Sequence, residues 1–159
     1  MYLTRCQEYG VNSGRRVKNL TGSIAGSVKE DRPVPLIHIA LRKGKPVAYR
    51  QAIFDSLYHA MREALGVPED DQFMTITEHE PANFRYGASC FGIARSDDVV
   101  YIQITVFNTR TAEQKKALFK RAAELLGESP GIAAENVFIN VLETAKENWS
   151  VGHGLAQFA

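Results

Sequence analysis

The chain has 159 residues, 45% of them hydrophobic and 23% charged, the size of one globular domain with a core of its own. A net charge of +1 speaks against nucleic acid or an anionic membrane as partner, and no apolar run approaches the length of a membrane span or a signal-peptide core. Two cysteines, Cys6 and Cys90, are too few for a disulfide-stapled scaffold and imply reduced thiols in a cytoplasmic protein.

Residues 1–33 show no sustained period of 2 or 3.6 and scatter Gly, Ser and basic residues; six Lys/Arg against three Asp/Glu give them +3. Residues 1–34 therefore read as a disordered or non-native leader. From Pro35 onward the pattern sharpens. "PLIHIAL" (35–41) predicts a strand. "AYRQAIFDSLYHAMREAL" (48–65) places Ile53, Leu57, Met61 and Leu65 four apart, a helix closed by Gly66. "QFMTITE" (72–78) predicts a strand, and a Gly/Pro/Asn-bearing excursion follows (79–92). "DVVYIQITVF" (98–107) is a strand rich in β-branched residues. "TAEQKKALFKRAAELLG" (111–127) predicts a second helix, with Thr111 and Gln114 spaced as a capping box. "NVFINVLE" (136–143) predicts the last strand.

These elements repeat. "GVPEDDQFMTITE" from Gly66 and "GIAAENVFINVLE" from Gly131 stand 65 positions apart, and the same offset pairs Ile37 with Ile102, Phe54 with Phe119 and Phe73 with Phe138. Two tandem β-α-β units (35–78 and 98–143) with a tail (144–159) account for this. Each helix must cross over to return a parallel strand. The expected fold is α+β: one four-stranded mixed sheet with two helices on one face, related by a pseudo-two-fold axis. The other face is expected to be open and apolar, which favours oligomerisation.

A tandem β-α-β pair whose first strand opens on proline resembles the tautomerase superfamily, and within it the malonate semialdehyde decarboxylase-like fused-chain tautomerases. The resemblance runs from Pro35 to about Phe158, through "PLIHIAL", "GVPEDDQF", "SDDVVYIQITV", "RTAEQKKALF", "ENVFINVLE" and "ENWSVGHGLAQF". It implies the tautomerase fold, a homotrimer, no cofactor, and a mature chain that begins at the proline. Here Val34, not Met, precedes Pro35. A GTG start codon reads as Val inside a longer frame, and Lys29-Glu30-Asp31 is codable as a ribosome-binding sequence, so the expected true start is Val34.

The chemistry needs a free amine. Within a chain the proline nitrogen is an amide without a proton; at a terminus it is a secondary amine. Simple α-amino groups titrate at roughly 7.7–8.0, lowered by burial and raised by a nearby carboxylate, which suits acid or base work near neutrality. Without that terminus, Pro35 merely starts a strand. The resemblance aligns Asp71 with an aspartate near the proline; otherwise "PEDDQF" is a solvated turn. Arg110 directly precedes the Thr111-capped helix, so its guanidinium and the unpaired helix N–H groups suit a substrate carboxylate; the plainer alternative is an exposed loop arginine. Family decarboxylases carry a second arginine where this chain has Asn108, which weakens a decarboxylase assignment and leaves a neutral donor. Trp149 aligns with a pocket wall, the plainer alternative being packing for the C-terminal tail, and Val151 stands where the family usually has an aromatic residue, a smaller wall that admits a bulkier substrate or leaves the amine wetter. His38, His59, His79 and His153 have no metal-ligand spacing, and Cys90 lacks a partner motif.

Three readings follow. In the first, Pro35 is the base of a tautomerase or isomerase acting on a small oxo-carboxylate held by Arg110. In the second, a cationic Pro35 is the acid of a decarboxylase or hydratase. In the third, the leader is retained and the chain is a catalytically silent trimeric module.

Overall fold

The computed structural model describes residues 34–159; the leader expectation for residues 1–33 lies outside them. The apolar alternation of "LIHIALR" becomes strand β1 (Leu36–Arg42), which buries Ile37, Ile39 and Leu41. Helix α1 (Val47–Leu65) buries the predicted stripe Ile53, Leu57, Met61 and Leu65. It stops at Gly66, which takes the left-handed conformation (φ 69°) that a glycine adopts without strain. Strands β2 (Phe73–His79) and β3 (Val100–Phe107) follow. Helix α2 (Ala112–Glu128) opens on the capping box, Gln114 N–H to Thr111 Oγ1 at 3.2 Å and Thr111 N–H to Gln114 Oε1 at 3.0 Å. Strand β4 (Val137–Thr144) closes the second unit.

The sheet order is β2-β1-β3-β4, with β1/β2 and β3/β4 parallel and β1/β3 antiparallel. This is the expected mixed sheet. Its register carries the pseudo-two-fold: Leu36 pairs with Phe73 in one unit and Tyr101 with Phe138 in the other. His38 pairs with Gln103 at the axis itself. The buried faces of β1 and β3 and the apolar faces of both helices form one core. Ser56 ties the helices together, its hydroxyl donating to Ser129 O at 2.6 Å.

The second sheet face is open, as expected, but not uniformly apolar. Phe73 and Phe138, each 50% exposed, flank a polar middle of His38, Thr75, Gln103 and Asn140, and His38 Nδ1 lies 2.9 Å from Thr75 Oγ1. Strand alternation sets which residues point outward, not their polarity. The repeat also runs further than the strands. Short 3-10 turns at Pro81–Asn83 and Lys146–Asn148 lie at the same offset, and each leads into an aromatic residue, Phe84 and Trp149. No helix among the described residues is long and apolar enough to cross a membrane.

Candidate active site

Parallel and antiparallel pairing together decide what meets at each end of the sheet. The starts of β1 and β2 lie beside the ends of β3 and β4. Pro35 and Asp71 precede those starts, while Asn108, Arg110, Trp149 and Val151 follow those ends. All six sequence candidates therefore belong to one end of the sheet.

Three of them share a cavity. Pro35, itself buried, lines a space of about 240 Å³ with Trp149, Val151, Val34, Leu36 and Phe73. Asp71 lines an adjoining cavity with Pro68, Glu69 and Asp70, and the two cavities have Val34, Phe73 and Val151 in common. The acidic loop is fixed from behind: Tyr58 Oη accepts the Asp70 N–H at 3.2 Å, and Asp71 N–H reaches Pro68 O at 3.4 Å. Asn108 and Arg110 line neither cavity.

Trp149 is held from two sides. Its Nε1 donates to Thr144 Oγ1 at 2.6 Å, and its ring meets Phe107 edge-on, with centroids 5.4 Å apart and planes at 87°. Phe158 packs on the same Phe107 ring at 4.9 Å. Val151 is braced through its N–H to Gln157 Oε1 at 3.1 Å, and Gln157 Nε2 donates to Gly152 O at 2.7 Å. The tail is thus a folded part of the site.

Arg110 is half-buried, and its Nε and Nη2 are buried without a hydrogen-bond partner among the described residues. Such orphaned donors are uncommon in native proteins and costly to keep. Nε and Nη2 are also the edge of a guanidinium that grips a carboxylate in two-point fashion. The arginine thus retains an unused capacity for an anion.

The pseudo-two-fold supplies an internal comparison. At the opposite end, Lys45 stands where Arg110 stands here, and it is paired with Asp98. That hydrogen bond, before any longer-range attraction, raises the Lys45 pKa above its ordinary value. Arg42 is neutralised in part by Asp97. The counterpart of Asp71 is Asn136, which is buried, donates to Ser96 Oγ at 2.9 Å and accepts the Ser96 N–H at 2.8 Å. Val100, the counterpart of Pro35, is a buried strand residue with chain on both sides. Arg42 keeps a buried Nε without a hydrogen-bond partner as well, so among the described residues the two ends differ in that Lys45 and Arg42 each hold a carboxylate and Arg110 holds none.

The sequence marks Val34 only as a start and Phe73 only as a repeat position, and it does not mark Thr144 at all. Phe73 had a signal, since it repeats at Phe138. Thr144 had none, because its repeat partner His79 shares no chemistry with it.

Two family profiles, both described as tautomerase enzyme, match residues 35–92 and 71–152. A probable tautomerase of Bacillus subtilis (strain 168), YusQ, is 36% identical over 124 residues, 78% of this chain and 98% of the relative. The chain belongs to the tautomerase family. Among solved structures, FG41 malonate semialdehyde decarboxylase inhibited by 3-bromopropiolate is similar at 35% identity and a TM-score of 0.73, over 77% of this chain and 93% of that one. A second malonate semialdehyde decarboxylase, whose structures were related to decarboxylase and hydratase activities, is similar at 29% identity and a TM-score of 0.73, over 77% and 95%.

Proposed function

We propose that this tautomerase acts on small oxo-carboxylates through the amine of Pro35, in a chain whose first residue is that proline. The observation that carries the reading is the placement of Pro35. It is buried at the end of the sheet that also bears Arg110, whose Nε and Nη2 have no hydrogen-bond partner among the described residues, and it lines an apolar cavity beside an acidic loop. The family match that starts at residue 35 supports it. With Val34 attached, the Pro35 nitrogen is an amide and the chemistry is blocked.

In this reading the neutral amine takes the proton from the carbon next to the carbonyl. The enolate forms, and the same proton returns to another atom of the conjugated system, giving keto–enol tautomerisation without net change in atoms or charge. Arg110 holds the carboxylate with its Nε–Nη2 edge, and Asn108 with nearby backbone N–H groups stabilises the developing oxyanion. Asp71 tunes the protonation of Pro35, and Trp149 and Val151 wall the substrate. A homotrimer covers the open sheet face, where Leu36, Phe73, Phe138 and Leu142 leave apolar surface exposed.

A second reading is favoured by the similarity to the two malonate semialdehyde decarboxylases. There Pro35 is cationic and acts as the acid in decarboxylation or hydration. A pH profile separates the two: the base role is lost as Pro35 protonates at low pH, and the acid role as it deprotonates at high pH.

The test is the intact mass and N-terminal sequence of the protein from its native host, followed by turnover of an oxo-acid panel. A chain starting at Pro35 that enolises a 2-oxo acid, and loses that activity on Pro35→Ala, meets the expectation. A chain that keeps residues 1–34 leaves Pro35 an amide and overturns the proposal in favour of a non-catalytic module.

A further inference from the structure

We propose that Thr144 is a positioning residue for the reaction at Pro35, fixing the Trp149 wall through its hydroxyl; the role rests on the function proposed above. Thr144 is the last residue of β4 and lines neither the Pro35 cavity nor its neighbour. It makes two contacts that reach the site from behind. Its carbonyl accepts the Asn108 N–H at 3.0 Å, at the start of the turn that carries Arg110. Its Oγ1 accepts the Trp149 Nε1–H at 2.6 Å.

The duplicated fold separates these two contacts. In the first unit Lys43 N–H donates to His79 O at 2.9 Å, at the equivalent positions. The backbone bond is therefore scaffold, present whether or not a site is built on it. The side-chain bond has no such counterpart. His79 meets Phe84 by ring stacking, with centroids 5.7 Å apart and planes at 29°. The hydroxyl-to-indole bond belongs only to the end that holds Pro35.

An indole N–H removed from water needs an acceptor, and a part-buried ring with one fixed hydrogen bond and one edge-on neighbour has few orientations left. Trp149 has both, Thr144 on its nitrogen and Phe107 on its ring. Phe107 is joined to Asn108, and Thr144 holds that same junction through its carbonyl. One threonine thus ties the aromatic wall to the strand end that leads to Arg110. If Trp149 swings, the width of the cavity beside Pro35 changes, and misplacement by about 1 Å is enough to cost rate.

The test uses the chain that begins at Pro35, with Thr144→Val, which keeps the β-branched shape without the hydroxyl, and Thr144→Ser, which keeps the hydroxyl. Trp149 is the single tryptophan of the chain, so intrinsic fluorescence and acrylamide quenching report the latch directly. In Thr144→Val, kcat/KM for the enolised oxo-acid falls roughly tenfold, the value of one hydrogen bond fully expressed at the transition state. Trp149 emission shifts and quenching rises, while far-UV circular dichroism stays unchanged. Thr144→Ser stays within about twofold of the wild type. Should Thr144→Val not fold, Thr144→Ala removes the same acceptor with less bulk, with the same expected kinetic loss and emission shift. Wild-type kinetics in Thr144→Val, equal losses in the Val and Ser variants, or unmoved Trp149 emission each overturn the inference alone. A wild-type chain inert toward every oxo-acid, with its Pro35 amine verified by mass, overturns the proposed function and takes the positioning role with it.

Discussion

Replacing Arg110 with methionine should make the protein more stable and less able to hold a carboxylate. The guanidinium leaves Nε and Nη2 buried and unsatisfied among the described residues, and each such donor costs about 1–3 kcal/mol. Methionine keeps much of the aliphatic stem and removes both donors and the charge. Taking the low end for each donor gives a gain of about 2 kcal/mol. With an unfolding entropy of about 2.1 cal/mol/K per residue over the folded region, Tm rises by roughly 7 °C. Lys45→Met is the matched control at the pseudo-equivalent position. Its ammonium is paired with Asp98 near the surface, and exposed pairs contribute about 0–1 kcal/mol, so Tm there holds or falls by a few degrees. Calorimetry at one fixed protein concentration, needed because assembly contributes to stability, reads both variants. Steady-state kinetics on the Pro35 chain should show KM raised at least tenfold in Arg110→Met. A fall in Tm for Arg110→Met like that of Lys45→Met, together with an unchanged KM, refutes the reasoning.

Two further expectations address the cavity mouth and the opposite end. Val151 is 44% exposed and lines both the Pro35 and the Asp71 cavities. Val151→Phe should therefore lower kcat/KM at least tenfold for oxo-acids with a bulky apolar tail, and leave the shortest ones within about twofold; parallel losses across the panel refute a wall role. Asp97 lies below the ordinary carboxylate range, first because the Tyr86 hydroxyl donates to it at 2.7 Å and then because of Arg42. Its folded pKa is thus below its unfolded value. Its contribution to stability is present above the unfolded value of about 3.9 and lost as pH falls through the folded one. Asp97→Asn should flatten the acid limb of a Tm-against-pH curve in that window, and an unchanged limb counts against the contact.

Local patterning made most of the fold legible. The Ile53–Leu65 stripe, the strand in "PLIHIAL" and the Thr111–Gln114 box each lie within one element, and each formed, the strand one residue later at Leu36–Arg42. The offset between the units survived because core positions keep their chemistry: Ile37 and Ile102 are both fully buried. It faded beyond the strands, where "PANF" and "KENW" share only the asparagine, although both form the same short turn and aromatic anchor. The polar middle of the open sheet face was lost for a different reason: the pattern of burial says which side chains face outward and nothing of what covers them. The candidate site was legible as residue types that gather at one end of the sheet, and not as pairings. Lys45 and Asp98 are 53 positions apart, so nothing near Lys45 or Arg110 in the sequence shows that the first cation holds a carboxylate and the second holds none among the described residues. Thr144 meets Trp149 through a side-chain hydrogen bond that no spacing announces.

The bond from Lys43 to His79, repeated as Asn108 to Thr144, makes each half of the molecule a yardstick for the other. A duplicated unit must satisfy the same rules of folding twice, and it needs a reactive site only once. Positions that respond alike to substitution in the two halves are answering to architecture. Positions that respond differently, as Arg110 and Lys45 are expected to, are answering to chemistry. The protein thereby separates the two demands within a single chain, with no relative needed for comparison.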